Sequence, residues 1–346
     1  MRAIRKDSLF PQVADRLRQR IETGALTGAL PGVQKLALEF KVNFMTVDKA
    51  LNMLSAEGLV HRVPRQGTFV RYRRTVAFAM HRPEESIRKR ALFGELIGAL
   101  QQKSAEASCM LALFDLERAD AVQAEMLARR VDGLITLGNE IEFELPEPLR
   151  RLPRINALGV PPEHPTADQV TIDNGRIGRM AADYLHRCGC RKVIALAPTH
   201  HRPPAVIRSE AFVGEAFRLG MEPRIYREEA PLPEERYETL APMLEAWRRD
   251  GFAANGIFAV NDFTAAVATN FLLLHGLKPN RDVFVIGCNR PLSSFLPREY
   301  DFAYIDPDIG AIAEAALKRL FERLAEPELP VKIQILQPLM IRKPVR

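Results

Sequence analysis

Positively charged, hydroxyl and amide side chains recur between residues 35 and 67, at spacings that suit contacts with a polyanion. Lys35, Lys41 and Lys49 are able to pair with phosphates, which supply most of the affinity of proteins for DNA. Base edges are instead read by hydrogen-bonding and apolar side chains, which makes Thr46 and Phe44 candidates. The full set of DNA-contact candidates is Lys35, Lys41, Asn43, Phe44, Thr46, Asp48, Lys49, Arg62, Arg65, Gln66 and Gly67.

Several of these candidates also have a purely structural interpretation. Asn43 can serve only as a helix N-cap, because its side chain accepts a hydrogen bond from the first turn. Phe44 and its neighbour Met45 can pack in a core as well as touch a thymine methyl group. Asp48 suits the positive end of a helix dipole, and a carboxylate also accepts a hydrogen bond from a cytosine amino group. The basic residues around Arg65 can form a solvated turn or enter a narrow minor groove.

The elements that must position these side chains are three helices followed by a hairpin. Apolar residues at helical spacing predict three helices, over 9–23, 33–40 and 43–58. Two short strands are predicted around a Pro-Arg-Gln-Gly turn, at 59–62 and 68–72. This order is typical of a winged helix-turn-helix domain, in which the third helix reads DNA and the hairpin is the wing. We therefore expect residues 1–72 to form a DNA-binding domain.

This region also resembles a known family. A resemblance to the DNA-binding domain of the GntR family runs without a gap over LPGVQKLALEFKVNFMTVDKALNMLSAEGLVHRVPRQGTFV. The resemblance implies binding to double-stranded DNA. The GntR pattern places arginines where this chain has Gln34, Phe44 and Asp48, so the base contacts typical of the family differ here.

The charge distribution supports a separate basic domain. The whole chain has a net charge of +6. Residues 1–75 contain 14 Lys and Arg and 6 Asp and Glu, so this part has a net charge of +8. The remaining 271 residues carry 35 basic and 37 acidic residues, a net charge of −2. A basic head on a nearly neutral body is expected where the head meets a polyanion, although a solvated basic face is the alternative.

The rest of the chain alternates strand-like apolar runs with amphipathic helical stretches. Strands are predicted at 76–80, 109–114, 133–137, 192–197, 256–260 and 283–287. Helices are predicted between them, at 92–103, 119–130, 175–187, 209–219, 240–249 and 264–274. This alternation predicts an α/β fold with parallel sheets. Its length favours two lobes, about 75–170 with 301–325 and about 171–300 with 326–346.

Ligands in such folds bind at the carboxyl ends of the strands, so the residues that follow each strand are candidates for a small-molecule site. These candidates are His81, Arg82, Asn139, His200, Asn261, Asn289 and, next to Asn261, Asp262. Their His and Arg side chains suit a carboxylate or a phosphate on the ligand, although loop charges can also be simply solvated.

Residues 75–346 resemble the effector domain of the LacI/GalR repressors, which shares its fold with periplasmic sugar-binding proteins. The resemblance is carried in order by Val131-Asp132-Gly133-Leu134-Ile135, Ile172-Asp173-Asn174, Arg208 with Ala211-Phe212, and Gly256-Ile257-Phe258-Ala259-Val260-Asn261-Asp262. It implies a ligand role for Arg208 and an aromatic near the ligand at Phe93, which can alternatively be a core residue. The family's usual aspartate, which holds sugar hydroxyls, is Asn289 here. Residues 71–74 are too short for the hinge helix of LacI-type heads.

Other classes of protein are disfavoured. The chain lacks Gly-x-Gly-x-x-Gly after a strand, a Walker loop, His-Glu-x-x-His and Gly-x-Ser-x-Gly, so we expect no enzyme. Cys109, Cys188, Cys190 and Cys288 have no zinc or thioredoxin spacing, and we expect neither a metal nor a cofactor. The N-terminal MRAIRKDSLFPQV has no secretory apolar segment and no run is long enough to span a membrane, so we expect a cytoplasmic protein.

Together these features predict a ligand-responsive transcription regulator, most simply a repressor controlled by a sugar, sugar acid or sugar phosphate. A homodimer is expected on a palindromic operator, since two-fold symmetry in the protein matches two-fold symmetry in the DNA. The alternatives are a cytoplasmic or transport-type small-molecule binding protein and an α/β enzyme with a DNA tether.

Overall fold

The structure is a computed structural model, and it describes residues 9–22, 25–26, 28–64, 66–71, 74–81, 91–118, 120–138, 145–198, 203–227, 237–251, 253–289, 302–339 and 341–342. The predicted candidates Arg65, Arg82, Asn139 and His200 lie outside these residues.

The N-terminal part of the chain, here called the head, folds into three helices and a hairpin as predicted. Helices α1, α2 and α3 span Leu9–Glu22, Val33–Phe40 and Phe44–Ala56, and strands β1 and β2 span Val60–Val63 and Gly67–Val70. The apolar stripes of the helices meet in one core, in which Leu17, Leu36 and Leu51 have no exposed surface. Burial of each such side chain contributes roughly 1.5–3 kcal/mol. This packing stabilises helices that are too short to be stable in isolation.

The hairpin follows α3 directly and is confirmed in its predicted position. Strands β1 and β2 pair antiparallel, from Val60 opposite Val70 to Val63 opposite Gly67. Gly67 has a φ of +122°, a conformation that side chains with a Cβ rarely adopt, so the turn requires glycine there. The rings of His61 and Phe69, which face each other across the strands, stack with centroids 5.6 Å apart.

The remaining residues, here called the body, contain two parallel sheets. The strands of the first sheet are β3 Arg74–Met80, β4 Cys109–Asp115, β5 Gly133–Leu137, β6 Arg154–Ala157, β7 Asp168–Ile172 and β13 Ile333–Leu336. The strands of the second are β8 Lys192–Ala197, β9 Glu222–Arg227, β10 Gly256–Ala259, β11 Phe284–Cys288, β12 Ala303–Ile305 and β14 Ile341–Arg342. Their spatial orders are β13-β7-β6-β5-β3-β4 and β14-β12-β11-β10-β8-β9, and β14 is antiparallel to its neighbour.

Helices cover these sheets because central parallel strands must be buried on both faces. All residues of β5 and β7 are buried, in agreement with this requirement. The helices are α4 Ala91–Glu106, α5 Ala121–Ala128, α6 Glu147–Arg150, α7 Asn174–Arg187, α8 Pro203–Arg218, α9 Tyr237–Arg249, α10 Asp262–Leu274 and α11 Ile309–Ala325. The predicted α/β architecture with two lobes is therefore confirmed.

The C-terminal strands belong to different sheets from those implied by the predicted lobe ranges. Strand β12 at 303–305 pairs with β11 in the second sheet, whereas the predicted first lobe includes 301–325. Strand β13 at 333–336 pairs with β7 in the first sheet, whereas the predicted second lobe includes 326–346. The chain thus passes between the sheets after β7, after β12 and after β13.

A buried carboxylate fixes the path from α11 to β13. The side chain of Asp168 has no exposed surface and accepts hydrogen bonds from Arg319 Nε at 3.0 Å and from Arg323 Nε at 2.9 Å. The same carboxylate accepts the backbone N–H of Lys332 at 2.7 Å, and Arg319 also donates to the Pro330 carbonyl at 2.7 Å. These donors offset the free-energy cost of burying the Asp168 carboxylate. The network therefore holds β13 in register beside β7.

The cysteines are free, with Cys109, Cys190 and Cys288 buried and Cys188 half-buried. Within the described residues, no cluster of three or more His, Cys, Asp or Glu side chains is arranged to hold a metal ion. In the same part of the chain, no helix is both long and apolar enough to cross a membrane.

Candidate functional sites

The first candidate site is the exposed N-terminal face of α3. Asn43 begins the helix as its N-cap, because its Oδ1 accepts the Met45 N–H at 2.9 Å. Phe44 and Met45 are 60% and 55% exposed, so they do not pack in the core of the head. Apolar side chains held out at the start of a helix are able to contact thymine methyl groups in a major groove.

Most of the remaining described DNA-contact candidates are exposed on the head. Lys35, Lys41 and Lys49 are exposed and make no ion pair with any residue that the structure describes. Lys41 ends α2 in the left-handed conformation, with a φ of 54°, and its N–H caps the helix by bonding carbonyls of the last turn. Thr46 is half-buried, and Gln66 and Gly67 are exposed at the hairpin tip.

The structure brings Asp48 and Arg62 together, which the sequence patterns do not predict. Arg62 Nη2 donates to Asp48 Oδ1 at 2.6 Å, and Arg62 Nη1 donates to Asn52 Oδ1 at 2.8 Å. Asn52 Nδ2 completes the ring by donating to Asp48 Oδ2 at 3.3 Å. A signal for this contact exists in the chain, because Arg62 lies two residues after the buried Val60 and so shares its face of β1, toward α3.

A second ion pair sets the orientation of α3 from its other end. Arg18 of α1 donates to Glu57 just after α3, from Nη2 to Oε1 at 2.8 Å and from Nε to Oε2 at 3.2 Å. Hydrogen bonds to Glu57, and then to Asp15, raise the pKa of the Arg18 guanidinium. Such bidentate geometry restricts rotation as well as distance, so it keeps the reading helix fixed relative to α1.

The second candidate site lies at the carboxyl ends of the strands in the second sheet. Arg208, on α8, is half-buried and donates from Nε to Asn174 Oδ1 at 2.8 Å. Its Nη1 donates to the Val260 carbonyl, directly after β10, at 2.8 Å. Asn174 begins α7, is 6% exposed, and donates from Nδ2 to the Ile172 carbonyl at 3.3 Å. Arg208 is therefore fixed in place from two sides. Asn174 follows β7 by two residues and so lies at a strand end, but it is not among the candidates because β7 is not among the strands predicted from the sequence.

Asn289 follows β11 in a strained backbone conformation. Its φ is +74°, a left-handed value that asparagine tolerates better than most residues, and it is 5% exposed. Its Nδ2 approaches Asp262 Oδ1 at 3.4 Å, and its N–H donates to the Ile305 carbonyl at 3.0 Å. Strained residues persist where their surroundings fix them, often at ligand sites. Asn261 is the N-cap of α10 and accepts the Thr264 N–H at 2.8 Å.

The buried thiol of Cys288 shows that these groups share one environment. Burial raises the pKa of this thiol; the charge of Arg208 acts in the opposite direction, and those of Asp262 and Asp306 add to the increase. Hydrogen bonds place Asn289 beside Asp262 and beside Ile305, the residue before Asp306. Arg208 bonds the carbonyl of Val260, two residues before Asp262. A guanidinium donor, carboxylate acceptors and an amide that does both are suited to a ligand with several hydroxyl groups.

The other described candidates belong to the first lobe. His81 follows β3 and is half-buried at the carboxyl end of that strand. Phe93, on α4, packs against the main apolar cluster of the body, in line with its alternative interpretation as a core residue.

Two family models match this chain, in the order that the fold suggests. Residues 9–70 match the model for bacterial regulatory proteins of the gntR family. Residues 182–344 match the model for the periplasmic binding protein-like domain. The chain joins a gntR-type head to a periplasmic-binding-protein-like body. The predicted resemblance to the GntR family is thereby confirmed for the head, and the predicted periplasmic-binding-protein-like fold is confirmed for the body.

A curated relative matches a short part of this chain. An uncharacterized HTH-type transcriptional regulator of Rhizobium meliloti (strain 1021) is 40% identical over 77 residues, which are 22% of this chain and 32% of the relative. The match thus spans about a third of that relative's length.

Solved structures match most of this chain at low identity, which establishes its fold. A dimeric Lac repressor with a C-terminal deletion has a TM-score of 0.63 and 17% identity, and the match covers 78% of this chain and 97% of that one. A CelR–cellobiose complex has a TM-score of 0.63 and 18% identity, and covers 91% and 100%. A periplasmic binding protein/LacI regulator from Alkaliphilus metalliredigens QYMF, bound to D-xylulofuranose, has a TM-score of 0.60 and 19% identity, and covers 79% and 100%.

Proposed function

We propose that this protein is a cytoplasmic transcription regulator that binds operator DNA through its gntR-type head and a small polyhydroxylated effector through its body. The observation that carries the proposal is the presence of both parts in one chain. The candidate site of the head is exposed, and that of the body is held in a defined geometry by hydrogen bonds. We infer a regulator and not an enzyme.

The head supports DNA binding by the distribution of its charges and apolar groups. Exposed lysines at Lys35, Lys41 and Lys49 surround a helix start that presents Phe44 and Met45. Phosphate contacts by the lysines position a protein on the duplex, and the helix start then faces base edges. Arg65, which lies outside the described residues, stays a predicted contact.

The body supports the binding of a sugar or a sugar derivative. Arg208 supplies fixed donors, Asp262 supplies acceptors and Asn289 supplies both, which is the combination that sugar hydroxyls need. The replacement of a carboxylate by an amide at Asn289 also removes a negative charge that would repel an acidic ligand. Sugar acids and sugar phosphates therefore join neutral sugars as expected ligands.

Coupling between the two parts follows from the connections of the body. A ligand held between the lobes favours one degree of closure, because it binds that state more tightly than the other. In a two-fold homodimer on a palindromic operator, closure would alter the separation of the two heads. We expect the protein to repress transcription and the effector to relieve this repression.

Fluorescence anisotropy with duplex DNA from the region upstream of the protein's own gene tests the DNA-binding proposal. We expect binding that weakens steeply as salt rises, with each lost phosphate contact reducing the log–log slope by about 1. Lys49→Ala should reduce the slope, and Lys278→Ala, an exposed lysine of the body, should not. Absence of binding at low salt would reject the proposal.

A thermal-shift screen of sugars, sugar acids and sugar phosphates tests the effector proposal. A ligand that binds only the folded state raises the melting temperature in proportion to the logarithm of its excess over Kd. A set of compounds that leaves the melting temperature unchanged at millimolar concentration would remove sugars as the effector class.

A further inference from the structure

The exposed face of α3, here called the reading face, receives an arginine side chain from outside the helix. Neither α2 nor α3 contains an arginine, although guanine O6 and N7 are most commonly read by a bidentate guanidinium. Arg62 of β1 supplies a guanidinium to that face, because its Nη1 and Nη2 are bonded to Asn52 and Asp48 of α3. We infer that Arg62, positioned by Asp48 and Asn52, is the arginine with which this head reads a guanine in the major groove.

The position of the pair on the helix supports this assignment. Asp48 and Asn52 lie one turn apart and follow the exposed helix start at Phe44 and Met45, so all four lie along the exposed side of α3. Arg62 therefore joins the surface that enters the groove. A guanidinium at the hairpin tip would instead meet the sugar–phosphate backbone or the minor groove.

The hydrogen bonding leaves Arg62 able to donate further. A guanidinium has five N–H groups, and the bonds to Asp48 and Asn52 use one on Nη1 and one on Nη2. The Arg62 side chain remains 35% exposed and that of Asp48 45%, so the pair is open to solvent at this face. Two parallel donors toward a guanine edge are thus compatible with the contacts already formed.

Asp48 changes the way in which Arg62 contributes to binding. Its carboxylate offsets the positive charge, which weakens sequence-independent attraction to phosphates. It also fixes a long side chain before DNA arrives, which lowers the conformational entropy lost on binding. Asp48 is accordingly a positioning residue, and Arg62 is the residue in contact with the base. This inference rests on the proposed DNA-binding function.

In vitro selection from a random duplex DNA library, with the full-length protein, tests the inference. The wild type should enrich half-sites with a guanine at one fixed position. Arg62→Ala should lose that preference by about tenfold or more, which is the scale of a bidentate base contact. Arg62→Lys, which keeps the charge but not the planar fork, should lose it as well.

Variants of Asp48 separate geometry from charge. Asp48→Asn keeps an oxygen acceptor for Arg62, so it should keep the preference for guanine. Because it removes a negative charge, it should also make DNA binding more salt-dependent. Asp48→Ala should weaken the guanine preference several-fold and should also make binding more salt-dependent. Arg20→Ala is the matched control, because Arg20 pairs with Glu39 at 2.5 Å and is 34% exposed, almost as Arg62 is. This control should retain the enriched sequence.

The outcomes distinguish the inference from the proposal on which it rests. If Arg62→Ala folds and enriches the same guanine as the wild type, the inference is wrong. If it weakens binding equally on every sequence and lowers the salt slope, Arg62 is a phosphate contact and the inference is also wrong. If the wild type itself enriches no sequence, the proposed function fails first, and the inference fails with it.

Discussion

Arg208 donates from Nε to Asn174 Oδ1 at 2.8 Å, and this contact joins helix α8 to the first turn of helix α7 at the point where the chain enters the second lobe. The same guanidinium bonds the Val260 carbonyl at the end of β10. A ligand that contacts a side chain fixed in this way can shift the crossover that connects the two lobes.

We therefore expect Arg208→Ala to remove the response to effector while leaving the affinity of the head for DNA unchanged. The reason is that the variant loses fixed donors at the ligand site but touches no residue of the head. Thermal shift with the best compound of the sugar screen, and anisotropy with and without it, measure the two properties. Arg218→Ala serves as the control, because Arg218 lies on the same helix, is 66% exposed and pairs with Glu215. A retained effector response in Arg208→Ala would place the ligand elsewhere.

Gly178 is expected to be essential for the packing of α7 against α8. A Cβ added there would lie 2.2 Å from the Arg208 carbonyl oxygen and 2.7 Å from the Phe212 nitrogen. Both atoms are backbone, so Gly178→Ala should force the helices apart and lower the free energy of unfolding by roughly 1–3 kcal/mol. Urea unfolding measures this loss.

Gly214→Ala on α8 is the matched control for that substitution. Nothing lies within 4 Å of a Cβ at Gly214, so alanine should be neutral or stabilise the helix by up to about 1 kcal/mol. Equal effects of the two substitutions would mean that the close approach at Gly178 does not limit packing.

Asp168→Ala should destabilise the body strongly. The substitution would leave Arg319 and Arg323, which are 9% and 14% exposed, without their shared carboxylate. Loss of one partner of a buried pair typically costs about 3–5 kcal/mol, whereas an exposed pair contributes about 0–1 kcal/mol. Chemical denaturation of Asp168→Ala and of Glu147→Ala, whose partner Arg151 is exposed, should show this difference. A loss below about 1 kcal/mol for Asp168→Ala would contradict it.

The buried thiols should be unreactive in the native protein near neutral pH. Burial raises the pKa of Cys109 to about 11 and that of Cys190 to about 12, both above the ordinary value of 9.0. A thiol-reactive disulfide at pH 8 should therefore modify only Cys188 quickly, and Cys188→Ser should abolish that phase. Rapid modification of Cys109 or Cys190 in the folded protein would show that these sites open.

The same pKa shifts predict how stability changes at high pH. A thiol with a raised pKa in the folded state keeps its proton longer there than in the unfolded chain. Its contribution to stability is complete below pH 9.0 and is lost as pH rises through about 11 for Cys109 and about 12 for Cys190. Denaturation across this range, compared with Cys109→Ala, measures the contribution.

Elements with strong local signals could be predicted from the sequence. The N-cap at Asn43, the buried stripe of α3 and the fully buried strand β5 each lie where their patterns indicate. Weak or short elements could not. Strand β9 is an edge strand with charged residues at both ends and in its middle, and β12 has only three residues. Neither therefore has an apolar run long enough to predict a strand. Helix α11 was not predicted, although its buried residues have helical spacing.

The sequence by itself therefore determined the class of the protein, because periodicity, caps and turn residues act over a few neighbouring positions. It determined the three helices and hairpin of the head, the alternating strands of the body and the candidate residues at strand ends. Only the tertiary structure decided which distant side chains meet. The contacts Arg62–Asp48, Arg208–Asn174 and Asp168–Arg319 join residues 14, 34 and 151 positions apart. No local preference specifies such pairs, since they depend on how whole elements pack.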